Sequence, residues 1–306
     1  MRQAALNHVF SLAQRDSRVV FVGSDLGAGT LSAMQKEFPS RFFMEGIAEQ
    51  YMVGFSAGLA KEGFIPYLNT IGTFFSRRSF EQISIDVALH KLPVRILASG
   101  GGMVYAPLGP THTAIEDLAL MLSIPGMKVF APADAEEMMA VLDYSLADSS
   151  PIYIRFGKGG ERIVTSKNNQ AITLPKIFGN ESCEILLCTT GIVLQHALDA
   201  REILSKNGIQ VTVAHFPFLN DLGIDSLKSI LAQKPKIFVT EEHVPVGGLF
   251  TQLLHQFHKS GIETTGLIQL SLPNEFSHKY GSQIDHLEKN NLTGETMSKL
   301  ILGLKK

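Results

Sequence analysis

The sequence predicts a doubly wound, mainly parallel α/β sheet followed by a second, smaller α/β unit. Three observations carry this prediction. Short apolar runs recur with room for one helix between them, the intervening segments place apolar residues at helical spacing, and the rhythm breaks once, between residues 157 and 177, before resuming. Buried strands alternating with helices are the pattern of parallel sheets, because each crossover must carry the chain back to the same end of the sheet.

In chain order, Leu6, Val9, Phe10 and Ala13 repeat at helical spacing, and the run Val19 to Val22 ends in Gly23 and Asp25, so the opening reads as helix then buried strand. Further strands are expected from Ile65 to Leu68, Val94 to Ala98, Met127 to Phe130 and Ile152 to Arg155. Helices are expected from Met52 to Leu59, Phe80 to His90, Ile115 to Leu122 and Ala135 to Leu146. From Gly157 to Ile177 the composition turns to Gly, Lys, Ser and Asn with Pro175, the signature of a linker. This divides the chain into a first domain over 1–165, a linker over 166–180 and a second domain over 181–306. The second domain opens with a βαβ unit: a strand from Glu184 to Cys188, a turn from Thr189 to Gly191, a helix face of Val193, Ala197, Ala200 and Leu204 stopped by Gly208, and a strand from Val211 to Ala214. A strand from Ile237 to Thr240 continues the rhythm.

Composition excludes several function classes. Lys+Arg 27 against Asp+Glu 29 gives a net charge of −2 without long blocks, so no nucleic-acid tract or polybasic membrane anchor is expected. Met1 leads directly into an amphipathic pattern and no apolar run reaches membrane-spanning length, which makes a cytoplasmic protein the expectation. Cys183 and Cys188 are the only cysteines; strand alternation would point them to opposite faces, so they read as small buried apolar side chains.

Four segments could carry chemistry. F-M-E-G-I-A-E from Phe43 to Glu49 reads as a strand running into a helix that begins with a carboxylate, which the helix dipole alone would also favour. G-P-T-H from Gly109 to His112 is a tight turn presenting an imidazole. G-T-F-F-S-R-R from Gly72 to Arg78 offers Phe74 or Phe75 as a flat apolar wall, although both could equally be core aromatics. Asp25 and Leu26, in G-S-D-L-G, follow the first strand, where doubly wound sheets place ligand contacts; an Asx-type turn is the alternative.

Together with E-E-H-V-P-V-G-G-L from Glu241 to Leu249, these segments resemble the pyrimidine-binding and C-terminal domains of transketolase-type, thiamine diphosphate-dependent enzymes. The resemblance covers essentially the whole chain. It implies that Glu49 hydrogen-bonds the cofactor's pyrimidine ring and favours its imino tautomer, that Phe74 or Phe75 stacks on that ring, and that His112 assists proton movements near the reacting carbon. It also implies that Asp25 and Leu26 reach cofactor across a subunit interface and that Arg78 lies beside it. Arg155, in I-R-F-G, would hold a sugar phosphate, for which a bidentate guanidinium is suited. Glu45 is expected to be structural and His243 to belong to a domain-packing turn.

The family holds the diphosphate and Mg2+ with a G-D-G segment, and none occurs in this sequence. The expectation is therefore one subunit of a split transketolase, moving a two-carbon ketol or related acyl unit from a ketose-type donor to an aldehyde. A separate subunit would carry the diphosphate domain and Mg2+, in an α2β2 heterotetramer. Two substitutions leave the donor open: Leu108 stands where longer relatives have an Asp, and Gly100 where they have a substrate-contacting His. The β subunit of a 2-oxo acid dehydrogenase E1 component and a non-catalytic regulatory subunit are the alternative readings.

Overall fold

A computed structural model describes residues 1–24, 29, 31–165 and 171–304. Asp25 and Leu26 lie outside the described residues. The first sheet holds six strands: β1 (Val19–Gly23), β2 (Phe42–Met44), β3 (Ile65–Ile71), β4 (Arg95–Ser99), β5 (Lys128–Phe130) and β6 (Ile152–Phe156). Their order is β2-β1-β3-β4-β6-β5 and every pairing is parallel. Strands β1, β3, β4 and β6 are buried along their full length, as a sheet covered by helices on both faces requires.

The second sheet holds β7 (Lys176–Phe178), β8 (Ile185–Thr189), β9 (Val211–His215), β10 (Lys236–Thr240) and β11 (Ile268–Leu270), in the order β11-β10-β8-β9-β7. It is parallel except for β7, which pairs antiparallel with β9. The stretch read from sequence as linker thus contains an edge strand at its C-terminal end. Cys183 precedes β8 rather than sitting in it, and both free cysteines pack in one apolar cluster instead of on opposite faces. Burial drives the Cys188 thiol far above its ordinary range.

The helix expected after Phe80 has an unusual form. Phe74–Arg78 and Ile83–Ala88 are π-helical and flank a single α turn, Phe80–Gln82. Such widened turns change which residue faces the sheet, and they recur at functional sites.

The two sheets share a core. One apolar cluster runs from Val22, Met52 and Ile96 through Met121 and Met127 to Leu186, Leu219 and Leu253. Outer strand β5 of the first sheet is covered by residues 217–219: Ala131 N–H donates to the Pro217 carbonyl (2.8 Å), Leu219 N–H donates to the Val129 carbonyl (3.0 Å), and the Phe130 and Phe218 rings lie 4.8 Å apart. Capping an edge in this way removes unpaired ladder groups. Beside it sits a buried ionic cluster. Glu137, from the Ala135–Ala147 helix, meets His215 Nε2 of β9 at 2.7 Å and Lys176 Nζ of β7 at 2.8 Å, and accepts Ala133 N–H at 2.7 Å. Burial alone would raise the Glu137 pKa, but His215 and Lys176 outweigh it and bring it down to about 2. No helix among the described residues is long and apolar enough to cross a membrane.

Candidate active site

Doubly wound sheets bind ligands at the carboxyl ends of their strands, and four of the residues singled out from sequence, Glu49, Phe74, Arg78 and His112, meet one another. Helix Glu49–Lys61 begins on Glu49 just after β2. Its carboxylate is 1% exposed, and Oε2 accepts a hydrogen bond from Arg78 at 2.6 Å. The Arg78 guanidinium also lies over the Phe74 ring, 4.7 Å from its centroid. Phe74 in turn meets the His112 ring edge-on at 5.3 Å. Glu49, Arg78, Phe74 and His112 therefore form one continuous chain of contacts drawn from three separate segments.

The π-helical turn explains why Phe74 and not Phe75 belongs to this chain. Phe75 is 0% exposed and packs in the main core, so it has no face to offer a ligand; Phe74 is half-buried. Of the two rings, Phe74 is therefore the one with an open face. Arg78 ends the π-helical turn, and its guanidinium reaches back to Glu49.

His112 is half-buried, its Nδ1 is 2.9 Å from Thr111 Oγ1, and its N–H donates to the Gly109 carbonyl at 3.0 Å. Gly109 has φ +81°, and a Cβ there would lie 2.7 Å from the Tyr280 ring. Arg77 straps the π-helical turn to this loop through an ion pair with Glu116 and a hydrogen bond to the Pro110 carbonyl (3.0 Å). Sequence reasoning passed over Arg77, which looks like an ordinary surface charge until the loops are brought together. Deeper at this end of the sheet, Asn69 Oδ1 and Thr73 Oγ1 are buried without a hydrogen-bond partner among the described residues.

Arg155 stands apart from this chain of contacts. Its side chain is 8% exposed, lies 3.5 Å from Asp117, and donates to the main-chain carbonyls of Glu242 (2.6 Å) and Ala114 (3.4 Å). Those partners tie much of its hydrogen-bonding capacity to the protein itself, while the side chain still lines a small pocket with Gly101 and Gly157. Tyr153 shares Asp117 (2.8 Å), and burial, reinforced by that carboxylate, pushes its phenol well above the ordinary range. Leu108 is 53% exposed. Gly100, Gly101 and Gly102 form a platform: Cβ atoms there would lie 2.0 Å from Tyr105, 2.1 Å from Arg155 and 2.4 Å from Glu242. His243 is buried between the sheets, accepting Ala119 N–H at Nε2 (3.3 Å) while Nδ1 bonds the Val244 carbonyl (2.8 Å).

A six-stranded parallel sheet with its loop cluster, joined to a mixed five-stranded sheet, makes this a two-domain α/β protein. Residues 1–162 match the family model described as transketolase, pyrimidine binding domain, and residues 178–278 match transketolase, C-terminal domain. The chain belongs to the transketolase family. It is similar to a solved structure described as a split gene transketolase, inactive β4 tetramer, at 29% identity and a TM-score of 0.88, covering 99% of this chain and 97% of that one. A subunit of the apulose-4-phosphate transketolase of Phocaeicola vulgatus is 30% identical, over 81% of this chain and 80% of that protein. The 1-deoxy-D-xylulose-5-phosphate synthase of Syntrophus aciditrophicus is 34% identical over 89% of this chain, which spans only 42% of the synthase.

Proposed function

We propose that this chain is the pyrimidine-binding subunit of a split transketolase-like enzyme that transfers a two-carbon unit between carbonyl compounds. It would be active only with a partner that carries the diphosphate- and Mg2+-binding domain. The observation that carries the reading is Glu49: a carboxylate 1% exposed at a helix start, with Oε2 held by Arg78 and Oε1 free of hydrogen bonds to the described residues. That free oxygen, the half-buried Phe74 ring and the neighbouring His112 together fit an aminopyrimidine.

When bound, thiamine diphosphate supplies the thiazolium carbon that accepts and hands on the two-carbon unit. Glu49 would bond the pyrimidine nitrogen and orient the ring, and Phe74 would give it an apolar wall, with Arg78 fixing both side chains. His112, engaged at Nδ1 by Thr111, has Nε2 left to move a proton to or from the donor. Asp25 and Leu26 remain proposed cofactor contacts. Leu108 and the Tyr105 ring packed at Gly100 provide little to read donor hydroxyls, which favours a donor with fewer of them than an ordinary ketose phosphate.

Partner dependence is supported by two relatives, one described as a transketolase subunit and the other as a split gene transketolase whose β4 tetramer is inactive. It is supported too by exposed apolar side chains beside the site, Ile47 (74%) and Tyr51 (57%), next to an aromatic ladder of Tyr51, Phe55 and Phe43. An α2β2 assembly would bury them.

The test is to purify the chain with a co-expressed partner and assay it with thiamine diphosphate and Mg2+ against a panel of ketose phosphates and 2-oxo acids. Turnover by the pair and none by either chain alone is expected. Full activity in a Glu49→Gln pair would overturn the reading in favour of a non-catalytic subunit. Reduction of an artificial electron acceptor with pyruvate, without carbon–carbon bond formation, would mark a 2-oxo acid dehydrogenase instead.

A further inference from the structure

The loop that carries His112 is closed at its base by a two-way backbone pair: Gly102 N–H to the Ala114 carbonyl (2.7 Å) and Ala114 N–H to the Gly102 carbonyl (3.0 Å). The Phe156 carbonyl, which accepts Gly100 N–H (2.8 Å), and Arg155 hold this base from the first domain, and the second domain adds contacts from the four residues that follow β10. Glu242 Oε1 accepts Met103 N–H at 2.7 Å. The Glu242 carbonyl accepts from Arg155, which also reaches the Ala114 carbonyl. Val244 N–H donates to the Ile115 carbonyl at 2.9 Å. Both ends of the loop are thereby fastened to a segment more than a hundred residues away in sequence.

Glu242 is 3% exposed, and Gln283 Nε2 donates to both of its oxygens at 2.9 and 3.0 Å, which fixes the carboxyl plane. Gly102, at φ +66°, lets the side chain approach so closely that any Cβ would collide with it. Burying a carboxyl costs several kcal/mol unless each lone pair is used. A simple fastening between two domains needs no such group, whereas an acceptor that must hold one loop amide in one place does.

We infer that Glu242 is a positioning residue for His112: it fixes the Met103 end of the loop through its carboxyl and so sets where the imidazole stands. This inference deepens the role of His112 given under Proposed function and rests on it. Displacement of a proton-moving group by about 1 Å can cost on the order of 100-fold in turnover while binding is kept.

The test has two arms. In the isolated full chain, hydrogen–deuterium exchange of amides 103–115 should accelerate at least ~10-fold in Glu242→Ala and in Gln283→Leu, and return close to wild type in Glu242→Gln, which keeps an oxygen for Met103 N–H. In the assembled pair, with xylulose 5-phosphate and pyruvate offered as donors, Glu242→Ala should lower kcat about 10- to 100-fold with KM changed less than ~3-fold, and Glu242→Gln should recover most of it. Unchanged loop exchange would overturn the inference. So would a loosened loop with kcat intact, or a kcat loss matched by equal loss of folded protein. If His112→Ala leaves turnover of the pair untouched, the proposed function fails at that residue, and the exchange arm still reports separately on the clamp.

Discussion

The seam between the two sheets and the carboxyl edge of the first sheet treat polar groups in opposite ways. At the seam, Glu137 is enclosed and matched by Lys176, the His215 ring and a backbone N–H from the same chain. At the edge, Glu49 is equally enclosed but has one partner among the described residues, the rings of Phe74 and His112 are half-buried, and Ile47 and Tyr51 face outward. The seam is finished within one polypeptide, whereas the edge has the character of half a site. The buried carboxylate at the seam is neutralised within the fold, whereas the one at the edge retains capacity for a further contact.

The comparison breaks most visibly at Glu137. Removing it in Glu137→Ala strands His215 and Lys176 in the interior and should lower unfolding free energy by about 3–5 kcal/mol in urea titrations. Glu49→Gln should do the reverse: the urea midpoint stays nearly unchanged while turnover of the assembled pair falls at least ~100-fold in steady-state assays. Acid sharpens the same contrast. Because folding lowers the Glu137 pKa to about 2 from its ordinary 4.5, its stabilising contribution is complete above about 4.5 and is lost as pH falls toward about 2. Urea midpoints across that window should therefore drop by an amount worth a few kcal/mol in the wild type, and much less in Glu137→Gln. Ile47→Asp should leave the fold intact and weaken assembly with the partner roughly tenfold by calorimetry. The smallest effect belongs to the exposed Arg162–Asp199 pair: Asp199→Asn should change stability by less than about 1 kcal/mol and activity not at all.

The long buried strands were legible in the sequence because β-branched and aliphatic runs such as Val19 to Val22 cannot be anything but interior. Strand β7 was not, because three residues following Pro175 in a polar stretch become a strand only through pairing with β9, more than thirty residues later. The same reason hid the seam: Lys176 and His215 look unremarkable until that pairing sets them around Glu137. At the site, Glu49 and His112 stood out by motif. The choice between Phe74 and Phe75 depends on a π-helical turn that no residue pattern announces. Arg155 is instructive for another reason: a strand-end arginine suits a phosphate and a buried carbonyl pair equally well, and the carbonyls of Glu242 and Ala114 come into view only in the folded chain.

The glycine platform after β4 has a mutational corollary. Introducing a histidine by Gly100→His would drive a side chain into the Tyr105 ring, in a backbone conformation (φ +76°) that non-glycine residues disfavour. Trimming Tyr105 alone would open a hole in a well-packed interior. Each mutation is penalised alone, and even the paired change keeps the backbone strain at position 100, so a side chain is hard to introduce at this point of the loop by any single step.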